Sequence, residues 1–279
     1  MRRTPLLLLV ALSACSPLRA FNALVPKDST AAVVARDQAF ADGPRGKVDV
    51  YAPRPARLTQ LPVIVFFYGG SWSSGAKEGY AFVGNALAAR GFVVAIPDYR
   101  LIPEAHYPAF LEDGVRAVRW VRSNAARFGG DPDRIVLVGH SAGAYNAAML
   151  SLDERWLGAD RKAVRGFAGL AGPYDFLPLD NITLPVFGGT SDLETTQPIH
   201  FASAGDPPTL LMVAGNDTLV APHNAVRLAS LLRNAGVAAE VRTYPRIGHV
   251  GMVTAFAKPF RYRAPVLEDL ATFARAVTQ

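Results

Sequence analysis

The chain has a single cysteine, Cys15, in 279 residues. A disulfide within the chain is therefore excluded, and so is any centre built on paired thiolates. The five histidines show no HExxH and no other paired-ligand spacing, so the sequence offers no metal site. It has no GxGxxG and no P-loop, and no cofactor is implied. Charge is sparse, at 19% of residues, and the net +6 is scattered rather than run in blocks. Such a surplus reads as solvated surface and gives no case for nucleic-acid binding. Linkers, repeats and low-complexity tracts are also missing. Half of the residues are hydrophobic, enough for one large core.

The first residues read as a targeting segment. Met1-Arg2-Arg3 is a basic start and Leu6 to Leu12 an apolar core, too short to span a membrane as a helix. The segment ends at Leu12-Ser13-Ala14-Cys15, which resembles the bacterial lipobox, where the cysteine becomes the first mature residue and carries lipid. This predicts a signal peptide over 1–14, a tether and lead-in over 15–45, and one domain over 46–279. The resemblance implies export to the periplasmic or cell-surface side and a membrane anchor through Cys15. Ser16 after the cysteine implies the outer membrane where the host has one. The alternative is a plain secretory signal cut near Ala14 or Ala20.

Apolar strands alternate with helices along the rest of the chain. Strands are expected at Val48–Tyr51, Leu61–Tyr68, Phe92–Ile96, Ile135–Val138, Gly166–Leu170, Thr209–Ala214 and Ala239–Tyr244. Helices are expected at Tyr80–Arg90, Phe110–Arg127, Ala142–Leu152, Asn224–Ala235 and Ala264–Val277, and a turn at Gly129–Pro132. The fold class is α/β, a mostly parallel sheet covered by helices on both faces.

Gly139-His140-Ser141-Ala142-Gly143 fits G-x-S-x-G, a nucleophile elbow, and it sits between an expected strand and an expected helix. That context lifts a serine hydroxyl clear of the sheet edge. The bland reading is a glycine-rich turn with an idle serine. Upstream, Tyr68-Gly69-Gly70-Ser71-Trp72 follows an apolar strand and matches the H-G-G-G type of loop. Such a loop lends backbone N–H groups to a developing oxyanion. The expected donors are Gly70, Ser71 and Ala142 N–H.

These segments, with Pro97-Asp98-Tyr99-Arg100-Leu101, Pro103-Glu104, Tyr107-Pro108-Ala109 and Asp131-Pro132-Asp133-Arg134-Ile135, resemble the α/β-hydrolase superfamily from about Val48 onward. The nearest likeness is to its carboxylesterase, hormone-sensitive-lipase-like and feruloyl-esterase-like (BD-FAE-like) group. Tyr68 departs from the histidine that many members carry, and Ser71 replaces a third glycine. The family order is serine, acid, histidine. His249, in Gly248-His249-Val250-Gly251 after the last expected strand, is the candidate base. Asp217, in Gly215-Asn216-Asp217-Thr218, is the candidate acid. Its bland reading is an Asx turn, and Asp175 is the rival acid. His140 lies inside the elbow, His106 and His223 near prolines or a helix start, and His200 in an irregular segment. Asp98 reads as structural, paired with Arg100.

Between about 172 and 207 the chain is apolar and proline-bearing, which the resemblance makes a short cap, with Trp72 and Phe176 lining the pocket beneath it. The reading is a serine hydrolase of carboxylic esters with small to medium acyl groups, acting on a small-molecule substrate through an acyl-enzyme. An amide-bond hydrolase of arylformamidase (kynurenine formamidase-like) type is the alternative, since Trp72 and the short cap resemble those enzymes too. A non-catalytic, lipid-anchored binding protein on the same scaffold is the third.

Overall fold

A computed structural model describes residues 17–55 and 59–279. The leader and Cys15 lie outside the described residues. One eight-stranded sheet organises the rest. Its strands are β1 (Ala31–Ala39), β2 (Lys47–Pro53), β3 (Leu61–Phe67), β4 (Val93–Pro97), β5 (Gly130–His140), β6 (Val164–Leu170), β7 (Thr209–Ala214) and β8 (Ala239–Tyr244). Their spatial order is β1-β2-β4-β3-β5-β6-β7-β8. The β1–β2 and β2–β4 pairs are antiparallel, and every other pair is parallel.

The helices are α1 (Pro17–Leu24), α2 (Ala81–Ala88), α3 (Ala109–Asn124), α4 (Ala142–Leu152), α5 (Glu154–Leu157), α6 (Leu184–Phe187), α7 (His223–Asn234), α8 (His249–Thr254) and α9 (Val266–Val277). On one side α3 packs on α4, and α4 and α7 share contacts with the 198–201 turn; on the other, α2 packs on α9. Val63 to Phe67 and Ile135 to Val138 are fully buried at every position. A strand hidden on both faces needs no alternation, which is why these runs are continuously Val, Ile, Leu and Phe.

The segment expected as tether and lead-in, 15–45, is different. It contains α1 and also β1, which pairs along β2 and forms the edge of the sheet. Helix α1 is docked rather than trailing. Asn22 donates to the Glu78 carbonyl and accepts from Phe82 N–H, satisfying a free donor at the start of α2. Phe21 packs edge-on against Phe82, with ring centroids 5.3 Å apart. The expected turn at 129–132 is shorter than read: Gly129 alone takes a left-handed conformation, and β5 begins at Gly130.

Candidate active site

Three loops at the carboxyl ends of β3, β5 and β7, with the segment after β8, meet at one place. Ser141 follows β5 directly and begins α4. Its backbone sits at φ 55°, ψ −124°, a strained conformation for a residue with a side chain. Such strain costs about 1–3 kcal/mol and survives only where neighbours enforce it. Two close approaches do so. A Cβ on Gly139 would lie 2.1 Å from the Gly143 carbonyl oxygen, and one on Gly143 would lie 2.1 Å from that of Phe67. Both motif glycines are thus required for the turn to close against β3. Ser141 N–H in turn donates to Leu170 O on β6 at 2.9 Å.

The serine hydroxyl lies 2.8 Å from His249 Nε2, and His249 Nδ1 lies 2.8 Å from Asp217 Oδ2. The other Asp217 oxygen, Oδ1, accepts N–H bonds from Leu219 (2.9 Å) and Val220 (3.0 Å). Asp217 is therefore an Asx turn and the partner of a histidine at once. The two readings of this residue describe its two oxygens. Its side chain is 1% exposed and that of His249 10%, so the pair is shielded from water.

The rival acid, Asp175, is engaged elsewhere, with Arg227 on α7. His106, His223 and His200 also take other partners: the Pro185 carbonyl, the Asp175 carbonyl and the Glu194 carboxylate. His140 is 4% exposed, and its Nε2 donates to the His249 carbonyl at 3.1 Å. Burial, with the nearby His249, pushes its pKa down to about 3, so it is a neutral strut under the base. Sequence inspection set it aside as unable to act on its neighbour and did not find this role.

The Gly69–Trp72 loop passes over the serine. A Cβ on Gly69 would lie 2.9 Å from Ser141 Cβ. Gly70, Ser71 and Trp72 all have positive φ (141°, 52° and 54°), so the chain curls tightly here. Among the described residues, the N–H groups of Gly70, Ser71 and Ala142 donate to no protein acceptor. They are available to a ligand.

The loop's base is tied down by Asp98, whose Oδ1 accepts from Tyr68 Oη at 2.7 Å and from Lys77 N–H at 2.9 Å. The expected Asp98–Arg100 pair is not formed. Arg100 instead holds Asp113 through Nε at 2.8 Å. Asp98 is structural, but its partners are the residues at either end of the loop. Lys77 itself is buried. Burial works against its charge, but hydrogen bonds to Asp37, Glu78 and Asp49 outweigh it and hold the ammonium above its ordinary pKa.

A cleft of about 740 Å³ opens over Ser141 and His249. Phe176, Leu177 and Ile182 of the cap form one wall and Leu18 and Phe21 of α1 another. The α1 wall had no signal in the sequence beyond two apolar residues three apart. Trp72 borders the cleft but is only 2% exposed. Its Nε1 donates to Asn146 Oδ1 at 3.0 Å and its ring packs on Phe110, Tyr145 and Phe187. It supports the cap more than it offers surface to a ligand.

A relative from rice, described as a probable isoprenylcysteine alpha-carbonyl methylesterase, is 37% identical over 157 residues, covering 52% of this chain and 36% of the relative. Carboxylesterase NlhH of Mycobacterium tuberculosis is 44% identical over 106 residues, covering 37% of this chain and 33% of the relative. The chain thus spans a third to about a half of the length of the curated relatives it matches. A solved structure described as a truncated carbohydrate esterase from gut microbiota superposes with a TM-score of 0.79 at 23% identity, over 91% of this chain and 99% of that one. That likeness establishes the α/β-hydrolase fold. The family model BD-FAE matches residues 48–232, which include the elbow, the loop before it and Asp217. By that match over most of its length, this chain belongs to the BD-FAE family.

Proposed function

We propose that the protein is a serine hydrolase of carboxylic esters. One observation carries the reading: a hydrogen-bonded Ser141–His249–Asp217 series beneath three unspent backbone N–H groups. The ester carbonyl carbon sits against Ser141 Oγ. His249 Nε2 takes the hydroxyl proton as the C–O bond forms, while Asp217 holds Nδ1–H and stabilises the imidazolium. Gly70, Ser71 and Ala142 N–H receive the oxyanion. His249 then gives its proton to the departing alkoxide, leaving an acyl group on Ser141. Water, deprotonated by the same nitrogen, attacks the acyl carbon; the bond to Ser141 Oγ then breaks, Oγ takes the proton back from His249, and the carboxylic acid departs.

A cleft of this size, walled by Phe176 and α1, suits small to medium acyl groups. The cap's one α-helix, α6, is four residues long, too little for a large lid. Fluorophosphonate should label the protein and fail to label Ser141→Ala; an unlabelled but folded wild type refutes the serine mechanism. A panel of p-nitrophenyl esters, a feruloyl ester, an isoprenylcysteine methyl ester and N-formylkynurenine separates ester from amide chemistry. The plant relatives' names motivate the third probe and the arylformamidase alternative the last.

We also propose that the enzyme is exported and lipid-anchored through Cys15. The lipobox supports this; the packing of α1 argues only against a cut at Ala20, which would divide a helix that walls the cleft. Cys15→Ala should move the protein out of the membrane fraction. Retention there refutes the anchor.

A further inference from the structure

We infer that Tyr80 is a positioning residue for the oxyanion-binding N–H of Gly70, acting through the far side of the same peptide group. The inference rests on the serine-esterase reading above and extends it. A peptide unit is planar and trans, so a carbonyl and the N–H of the following residue point in opposite directions within one rigid plane. Fixing the carbonyl fixes the donor. At each of the three donors the opposing carbonyl is clamped. Gly70 O, opposite Ser71 N–H, accepts from Ser73 N–H and Ser74 N–H, each at 3.0 Å. Ser141 O, opposite Ala142 N–H, accepts from Ala144 N–H at 2.8 Å and Tyr145 N–H at 3.2 Å. Both clamps rest on backbone N–H groups, inherent in the turn and in the first turn of α4, with Ser73 Oγ (3.2 Å) and Ser74 Oγ (3.1 Å) adding to the one on Gly70 O.

Gly69 O, opposite Gly70 N–H, is the exception. Its clamp is a side chain, Tyr80 Oη, at 3.2 Å. Gly70 follows with φ 141°, and a glycine has no Cβ to restrict that torsion, so the plane before it is held by its contacts. Tyr80 is rigidly placed to hold it. Its ring stacks on Tyr68 with centroids 5.3 Å apart and is 5% exposed, and burial raises the phenol pKa, so the hydroxyl stays a donor at every working pH. A hydrogen bond received at the carbonyl also polarises the peptide and strengthens the N–H opposite.

The neighbouring Tyr99 provides an internal control. Its ring stacks on Tyr68 from 4.7 Å and its hydroxyl donates to Tyr68 O at 2.7 Å. That carbonyl is opposite Gly69 N–H, which is not among the three donors. Tyr80→Phe and Tyr99→Phe each delete one buried hydroxyl from the same stack of rings, and only the first releases an oxyanion donor.

The test compares both variants on p-nitrophenyl butyrate, with thermal melting and with the affinity for an alkyl trifluoromethyl ketone, which forms an oxyanion on the serine. Removing an oxyanion donor outright costs roughly 10²–10³ in kcat, so loosening one should cost about 5–30-fold. Tyr80→Phe is expected to lose that factor in kcat with KM within twofold, and to lose ketone affinity by a similar factor. Tyr99→Phe is expected to melt at least as early and to keep kcat and ketone affinity within twofold. An unchanged kcat in Tyr80→Phe overturns the inference, as does an equal loss in both variants. Fluorophosphonate labelling of the wild type is scored separately, so a failure of the serine mechanism itself is distinguishable from a failure of the clamp.

Discussion

Replacing Asp217 by asparagine changes one atom and should disable the site while leaving the fold intact. The two oxygens of Asp217 do different work. Oδ1 accepts two backbone N–H groups at 2.9 and 3.0 Å, and Oδ2 faces His249 Nδ1 at 2.8 Å. An asparagine in this place has two orientations. With its NH₂ toward Leu219 and Val220, two N–H donors lose their acceptor, at about 1–3 kcal/mol each. With its oxygen there, the NH₂ faces Nδ1 instead. The histidine answers by moving its proton to Nε2, a tautomer change that is cheap by comparison. The second orientation therefore wins. Nε2–H then points at Ser141 Oγ across 2.8 Å and cannot accept the hydroxyl proton. A wrong tautomer in a serine–histidine–acid site costs about 10⁴ in kcat. At 1.36 kcal/mol per tenfold, that is about 5.4 kcal/mol of barrier.

The assay is steady-state hydrolysis of p-nitrophenyl butyrate by Asp217→Asn, with Ser141→Ala run in parallel to set the contaminating background. Near-ultraviolet circular dichroism and melting temperature should match the wild type closely, since the Asx turn keeps its acceptor. A kcat within tenfold of wild type would refute the argument and return the acid to the rival Asp175. The companion variant Asp175→Asn, which breaks the contact with Arg227, should cost less than about tenfold by the same reasoning, because a partly exposed ion pair contributes little.

Three further outcomes follow from packing and charge. The folded pKa of His140 is about 3 and its unfolded value about 6.5, so only the unfolded chain takes up a proton between them. Stability is lost as pH falls from about 6.5 toward 3, by at most about 1.4 kcal/mol per pH unit; His140→Gln should flatten that limb in urea melts at pH 7, 6 and 5, and parallel curves would refute it. Gly143→Ala puts a methyl 2.1 Å from the Phe67 carbonyl oxygen, and should cost about 3 kcal/mol or more or abolish soluble expression; a melting temperature within two or so degrees of wild type would contradict the packing. Phe21→Ala strips apolar surface from the α1 wall, so kcat/KM should fall about 5–20-fold for a p-nitrophenyl hexanoate but little for the acetate, and an equal change on both would remove α1 from the cleft.

How far the sequence was legible depends on whether a feature is local. β7 and α4 lie where the apolar run and the Ala-rich stretch place them, because a strand buried on both faces and a helix packed all round impose their composition residue by residue. The elbow was legible for a sharper reason: two carbonyl oxygens 2.1 Å from where a Cβ would stand leave no alternative to glycine at 139 and 143. β1 was missed because its second half carries Arg36, Asp37 and Gln38 with no buried position among them, and reads like a loop. Asp98 was given the wrong partner because Arg100 is two residues away in the chain, while its true partners, Tyr68 and Lys77, arrive from a different strand and loop.

Tyr80 falls in the same class. Nothing in the spacing between residues 69 and 80 says that a phenol returns to touch a glycine carbonyl. The pattern has a physical cause. Groups that do chemistry here are constrained by backbone conformation, which neighbouring residues must encode. Groups that hold those groups in place are constrained only by distance in the folded molecule, and many sequences satisfy a distance. If the peptide clamp acts as argued, the rate should depend on residues of this second kind by factors of ten while a motif search finds none of them. Asp217→Asn and Tyr80→Phe together measure that split, the first at a position the motif order names and the second at one it does not.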